Sequence, residues 1–262
     1  PGDAEGHRQL GQSRPARGRG EVARVVDVSM SPVRAEKVRE ALMEVAPGPT
    51  KAIIYTHSHL DHIGGASVWA EEGTEIWATD AFFPHLMKQY GAFRDGELKR
   101  ATLQHAHHLS EAELPCSAVG KRVDLAAALK TGIRKPTHTF SGNQEIVVGG
   151  VTIELVEAHG ETRDQLFVYI PSLEALMCGD NYYAAFPNLY TIRGTSPRPV
   201  AQWIRSLDAM RAFDPQHLVP SHTGPISGKE QVRVASVVAI GPVECMSLAK
   251  TEFDHLMAES SA

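Results

Sequence analysis

The sequence lacks the marks of several protein classes. Its three cysteines, Cys116, Cys178 and Cys245, are odd in number and far apart. No disulfide framework is expected, and a reducing compartment fits. No apolar run approaches the roughly 20 residues that span a bilayer, and no leader pattern opens the chain. The expected location is therefore the cytoplasm, without membrane insertion. Basic residues are not in excess, with 26 Lys and Arg against 31 Asp and Glu and a formal net charge of −5. That balance argues against nucleic acid as the main partner, since a phosphate backbone selects a basic face. No internal repeat is visible. What remains, 42% hydrophobic and 22% charged residues in a chain of 262, is ordinary globular composition for one large domain or two small ones.

Histidine is plentiful, at 13, and its placement matters more than its number. The segment THSHLDHIGG, residues 56–65, holds His57, His59, Asp61 and His62. KAIIYT just before it is a short apolar, β-rich run and predicts a buried strand that ends at His57. Ser31 and Pro32 predict the start of a helix whose Val38, Ala41, Leu42 and Val45 share one face. EIWATD predicts a further strand. QEIVVGGVTIELVEA predicts a hairpin turning at Gly149-Gly150, and QLFVYIPSLEALMCGD a second one near Pro171-Ser172. Helical spacing links Val200, Trp203, Ile204, Leu207 and Met210, and QHLVPSH predicts a last strand that delivers His222. Residues 91–138 read as a long, partly helical excursion. Residues 1–20, rich in Gly, Pro and Arg, are expected to be disordered or non-native, and residues 21–262 to form the working domain.

Polar clusters recur at the ends of these strands. His57, His59, Asp61 and His62 follow the first, His159 and Glu161 another, Asp180 a third, and His222 a fourth. A loop at a strand end can aim His57 and His59 at one cation while Asp61 and His62 turn toward a second. Imidazole and carboxylate in that pattern suit zinc or a similar first-row ion. A surface loop with chance histidines would lack the three later clusters. LQHAHHLS, with His105, His107 and His108, has no preceding strand and no matching later cluster, so it reads as a helix or lid segment. Tyr182 and Tyr183 suit either the core or the pocket wall.

The order H-x-H-x-D-H, then a later His or Glu, then Asp, then His, resembles the metallo-β-lactamase superfamily from about residue 25 to residue 228. FPNLYTIRG, residues 186–194, is similar to a segment of the class III (zinc-type) alkylsulfatases and their compact relatives, which also carry a glutamate where most relatives have the histidine of a G-H-T motif. Here Gly160-Glu161-Thr162 stands at that place. The resemblance implies an αβ/βα sandwich. Where the superfamily usually has two or three strands before the first motif, only EVARVVDVSM is similar to that region here, which leaves open a first sheet lacking part of its N-terminal half. It further implies two Zn2+ ions, one on His57, His59 and Glu161 and one on Asp61, His62 and His222, with Asp180 between them. His159 would then stand beside the ligands. Asp61 and Asp180 become the catalytic carboxylates, and Asn188 and Arg193 the residues that hold the sulfate of an anionic ester substrate. Arginine's planar fork suits an oxyanion.

The implied activity is thus metal-dependent hydrolysis of small sulfate esters, and a homodimer is left open. Two other readings stand beside it. One is a generalist hydrolase of the same fold acting on a β-lactam, lactone or thioester, which has no need of a fixed cation at a sulfate. The other is an inactive metal-binding relative. A flavin-coupled di-iron role is disfavoured because His59 stands where those proteins carry a glutamate.

Overall fold

A computed structural model describes residues 23–227, except 92–93, 111, 115, 118–119, 122–129 and 196. The segment 1–20, expected to be disordered or non-native, lies outside the described residues. Strand β1 (Ala23–Val26) leads to helix α1 (Pro32–Val45). Ser31 caps α1 as the sequence predicts, its hydroxyl accepting from the Arg34 amide at 3.5 Å, with Pro32 in the first turn. Strand β2 (Thr50–Ile54) pairs in parallel with β1. Two short helices follow, α2 (Leu60–Ile63) and α3 (Ala66–Trp69), then strand β3 (Glu75–Thr79), parallel to β2. The stretch up to strand β6 (His138–Phe140) holds α4 (Phe82–Tyr90), α5 (Arg94–Gln104) and a small hairpin of β4 (Cys116–Ser117) and β5 (Gly120–Lys121). β6 closes an all-parallel sheet in the order β1-β2-β3-β6.

The second sheet has six strands. β7 (Asn143–Val148) and β8 (Val151–Glu157) form the first expected hairpin, in which Gly149 and Gly150 take φ of 54° and 77°. Two consecutive left-handed residues are what a two-residue turn needs, and glycine supplies them without steric cost. β9 (Leu166–Ile170) and β10 (Ala175–Gly179) form the second, turning through a 3-10 segment at Pro171–Leu173. Helix α6 (Val200–Ala212) then returns the chain to β11 (His217–Pro220), parallel to β10, and β12 (Ile226–Ser227) closes the edge.

Side-chain alternation makes these two sheets a sandwich. On β2, Ile53 packs under α1 and α3 with Val28, Ile63 and Trp69, whereas Ala52 and Ile54 face the other sheet. Ile153, Leu155, Leu166 and Val168 of β8 and β9 meet them there. Val156 and Phe167 point the opposite way and are covered by Met210 of α6. Strands of period two therefore bury both faces, and helices close the outside. The αβ/βα arrangement is the one expected, and among the described residues β1 is the one strand that comes before β2 and the histidine-rich loop. No helix among them is long and apolar enough to cross a membrane.

The helical spacing of residues 200–210 needs one correction. Trp203 and Met210 are buried, but Val200 and Ile204 are about half exposed. The buried stripe runs through Trp203, Ser206 and Met210, which puts Val200 and Ile204 on its margin. The two glycines of IGG have a packing reason. A Cβ on Gly64 would lie 1.7 Å from the Met30 carbonyl oxygen, and one on Gly65 would lie 2.1 Å from that of Val28.

Candidate metal site

Five strand ends converge on one place. β1 and β10 are followed directly by Asp27 and Asp180, β2 runs into Thr56-His57-Ser58-His59, β8 leads through Ala158 to Glu161, and β11 is followed by Ser221 and His222. Two groups of ligand-type atoms result. His57, His59, Glu161 and Asp180 offer atoms that all lie within 4.8 Å of one another, and so do Asp61, His62, Asp180 and His222. Asp180 belongs to both. Its Oδ2 is 3.1 Å from His222 Nε2 and 3.9 Å from His57 Nε2, and its Oδ1 is 3.3 Å from His62 Nε2. Asp61 Oδ2 is 3.2 Å from His222 Nε2. The structure brings together all seven metal-ligand candidates of the sequence.

The residues fit divalent cations. Glu161 Oε2 is buried and makes no hydrogen bond, and the buried His62 Nε2 and Asp180 Oδ1 face each other at 3.3 Å. A buried polar atom left without a partner costs about 1–3 kcal/mol, which is large against the marginal stability of a domain. Burial, with Asp180 opposite, holds the Glu161 carboxyl well above the usual carboxylate range. A group of carboxylates and imidazoles that costs this much by itself is one that a transition-metal ion relieves. Burial and the facing His62 push His57 down to about 4, and burial with His57 and Arg193 holds His59 well below its ordinary value. Both rings are therefore neutral, the form that ligates. At His222, burial is overcome by Asp180 and Asp61, and the ring is pushed up to about 10.

Residues that the sequence reading did not single out hold these ligands in place. Asp27 Oδ2 lies 2.7 Å from His62 Nδ1 and accepts from the hydroxyls of Thr56 (2.9 Å) and Ser221 (3.2 Å), while its Oδ1 accepts from the Thr56 amide at 2.9 Å. One carboxylate so ties the end of β2 to the end of β11 and leaves His62 Nε2 facing the site. Asp27 does this at φ 58°, a left-handed conformation costly for a residue with a side chain. Thr56 Oγ1 in turn lies 3.0 Å from His57 Nδ1. Asp164, fully buried, accepts the Ser58 amide at 2.8 Å, and His85 Nδ1 lies 2.9 Å from Ser58 Oγ, so the backbone between His57 and His59 is fixed from two sides. Partners of this kind typically set metal affinity by tenfold to a hundredfold. Asp27→Ala should therefore weaken zinc binding by about that factor when metal-free protein is titrated calorimetrically. An unchanged affinity would show that Asp27 only joins the sheets.

The other sequence candidates divide. The Arg193 guanidinium stands beside the first group, Nη2 3.3 Å from His59 Nε2 and Nε 3.3 Å from Glu97 Oε1. Asn188 is exposed, its amide donating to the Tyr183 hydroxyl at 3.1 Å, and among the described contacts none carries its side chain to either group. The His159 ring turns to Glu157, Nε2 to Oε1 2.7 Å. Tyr182 packs on the core under α6. His105 and His107, their ring centres 5.6 Å apart, follow α5 and belong to neither group. Arg198, unremarked in the sequence, is buried and paired with Glu161.

Known proteins share this fold. The family model of the metallo-beta-lactamase superfamily matches residues 17–222. The linear primary-alkylsulfatase of Pseudomonas sp. (strain ATCC 19151) is 27% identical over 215 residues, which are 79% of this chain and 40% of that protein. The (R)-specific secondary-alkylsulfatase of Pseudomonas sp. is 26% identical over 198 residues, 71% of this chain and 30% of that one. Among solved structures, a double mutant of the sec-alkyl sulfatase PisA1 of Pseudomonas sp. superposes with a TM-score of 0.72 at 23% identity, over 78% of this chain and 34% of that one. The chain thus spans 40% or less of the length of these alkylsulfatases.

Proposed function

The chain belongs to the metallo-beta-lactamase superfamily, and from that premise we propose that it hydrolyses small anionic sulfate esters at a dinuclear zinc site. The observation that carries the reading is Arg193: a fork of donors 3.3 Å from His59, at the edge of two ligand groups that share Asp180. His57, His59 and Glu161 would hold one ion, Asp61, His62 and His222 the other, and Asp180 both. A bound pair of divalent cations supplies Lewis acidity toward an ester oxygen and makes water acidic enough to ionise near neutral pH. The chain's own groups do the rest. Arg193, oriented by Glu97, meets the sulfate oxygens, and Asn188 on the same exposed loop is the second contact proposed for them. Asp61 is one-third exposed while Asp180 is buried. Asp61 is therefore the carboxylate proposed to meet entering water and take up its proton, and Asp180 holds the ligands around it.

The assignment of Glu161 rather than His159 has its own test. Glu161 faces Asp180 across the site, whereas His159 is engaged by Glu157. Glu161→Ala should remove about one metal equivalent per chain, and His159→Ala should leave metal content intact; a ligating His159 ring nitrogen would sit about 2.0–2.1 Å from the ion. Metal loss in the His159 variant alone would reverse the assignment.

One observation favours the second reading, a generalist hydrolase of neutral substrates. The Arg193 charge already has a carboxylate, Glu97, at 3.3 Å. A panel of sulfate, phosphate, lactam and lactone substrates separates the two: hydrolysis of lactone but not sulfate ester would make Arg193 a structural residue.

A further inference from the structure

Two arginines of one loop end on the same ligand group. Arg193 reaches His59, and Arg198 pairs with Glu161. Among the described residues, neither makes an ion pair or hydrogen bond with Asp61, His62 or His222. The segment that joins the two arginines is closed on itself. The Arg198 amide donates to the Leu189 carbonyl at 3.2 Å, the Gly194 amide to the Thr191 carbonyl at 3.1 Å, and the hydroxyls of Thr191 and Thr195 lie 2.6 Å apart. Apolar burial does little to hold this loop, because Phe186, Tyr190 and Ile192 are all exposed. Its anchors are polar.

Arg198 is costly as a mere brace. Its side chain is 3% exposed, and its Nε and Nη1 make no hydrogen bond. A buried guanidinium with idle donors is usually no more stable than an apolar side chain of the same volume. Glu161 divides its oxygens in a matching way: Oε1 is taken by Arg198, and Oε2 is buried without a partner. The arginine fixes one oxygen and leaves the other for the ligand group.

We infer that Arg198 is a positioning residue. It sets Glu161 as a ligand of the first cation, and through that contact the filling of this one site orders the loop 186–199 that presents Arg193. The inference rests on the reading of Glu161 as a ligand.

The test uses the full chain, stripped of metal and titrated with zinc. Arg198→Met keeps the stem and removes the charge. It should weaken one of the two equivalents by about tenfold to a hundredfold and leave the other unchanged. Trypsin adds a readout of loop order, since it cuts after Arg193 but not at the Arg198-Pro199 bond. Zinc should slow cleavage after Arg193 in the parent protein and fail to slow it in Arg198→Met, while cleavage of the metal-free proteins stays equal. Arg198→Lys should partly restore the weakened equivalent. If Arg198→Met does not fold, Arg198→Lys must shift that one equivalent by itself. Unchanged affinities, or equal weakening of both equivalents with faster cleavage of metal-free protein, would make Arg198 a structural residue and overturn the inference. Glu161→Gln separates the two levels. If it keeps both equivalents, the ligand reading falls and this inference with it. If it loses one while Arg198→Met loses none, the inference alone falls.

Discussion

Dialysis against a strong chelator should abolish ester hydrolysis and lower the unfolding midpoint together, and two equivalents of zinc per chain should restore both. The effect should be large, because the site is costly to the folded chain without cations. Glu161 Oε2 is buried without a hydrogen bond, and the carboxylates of Glu161 and Asp180 belong to one group there. A ligand present at a thousand times its dissociation constant stabilises by about 4 kcal/mol. In a domain of this size 1 kcal/mol moves the midpoint by about 2–4 °C, which makes the expected drop roughly 8–16 °C. Elemental analysis of protein purified without chelator checks the stoichiometry. Content near zero, with identical melting of treated and untreated protein, would remove the metal site from the account.

Arg193→Ala should cut sulfate-ester hydrolysis by roughly thirtyfold to nearly a thousandfold, which corresponds to the 2–4 kcal/mol lost with a charged hydrogen bond in a desolvated site. Metal content should not change, since Arg193 is a neighbour of His59 rather than one of the ligands proposed for the cations. A metal pair by itself is indiscriminate, offering the same Lewis acidity to many esters and amides. Selectivity has to come from a fixed partner for the substrate's own charge. The Arg193 backbone is well placed for that duty: its amide donates to Gln104 Oε1 at 2.9 Å and its carbonyl accepts from Arg100 Nε at 2.5 Å. Both partners belong to α5, so the guanidinium is held from the far side of the site. Hydrolysis of a neutral lactone should change far less in the same variant. An equal fall for both substrates would show that Arg193 supports the site's shape, and the generalist reading would then be preferred.

The metal-ligand candidates were legible in the sequence because each follows an apolar strand within a few residues, so local pattern and spatial position coincide. The hairpin at Gly149-Gly150 and the cap at Ser31 were legible for the same reason, their chemistry being local. Asp27 was not. It does follow a strand, but that strand is four residues long, and its partners Thr56, His62 and Ser221 come from distant parts of the chain. Arg198 and His85 leave no periodic trace, since each matters only through a residue brought near by folding, Glu161 in one case and Ser58 in the other. Strands β6 and β12, of three and two residues, are too short to show an alternation. Both exist because a neighbouring strand offers them an edge.

The alternation along β2 restricts which chain lengths the protein can tolerate. Ala52 and Ile54 face one way, Ile53 and Tyr55 the other, and all four are fully buried. His57 and His59 inherit their aim from this two-residue rhythm, with only Tyr55 and Thr56 between the strand and the first ligand. One residue added there would exchange inside for outside and turn both imidazoles from the site, whatever side chains were kept. The turn at Gly149-Gly150 has no such accounting, because nothing in the site is counted from it. Length variation among functional descendants of this chain should therefore collect at the hairpin tips, while the spacing from Thr50 to His62 stays constant even where its residues change.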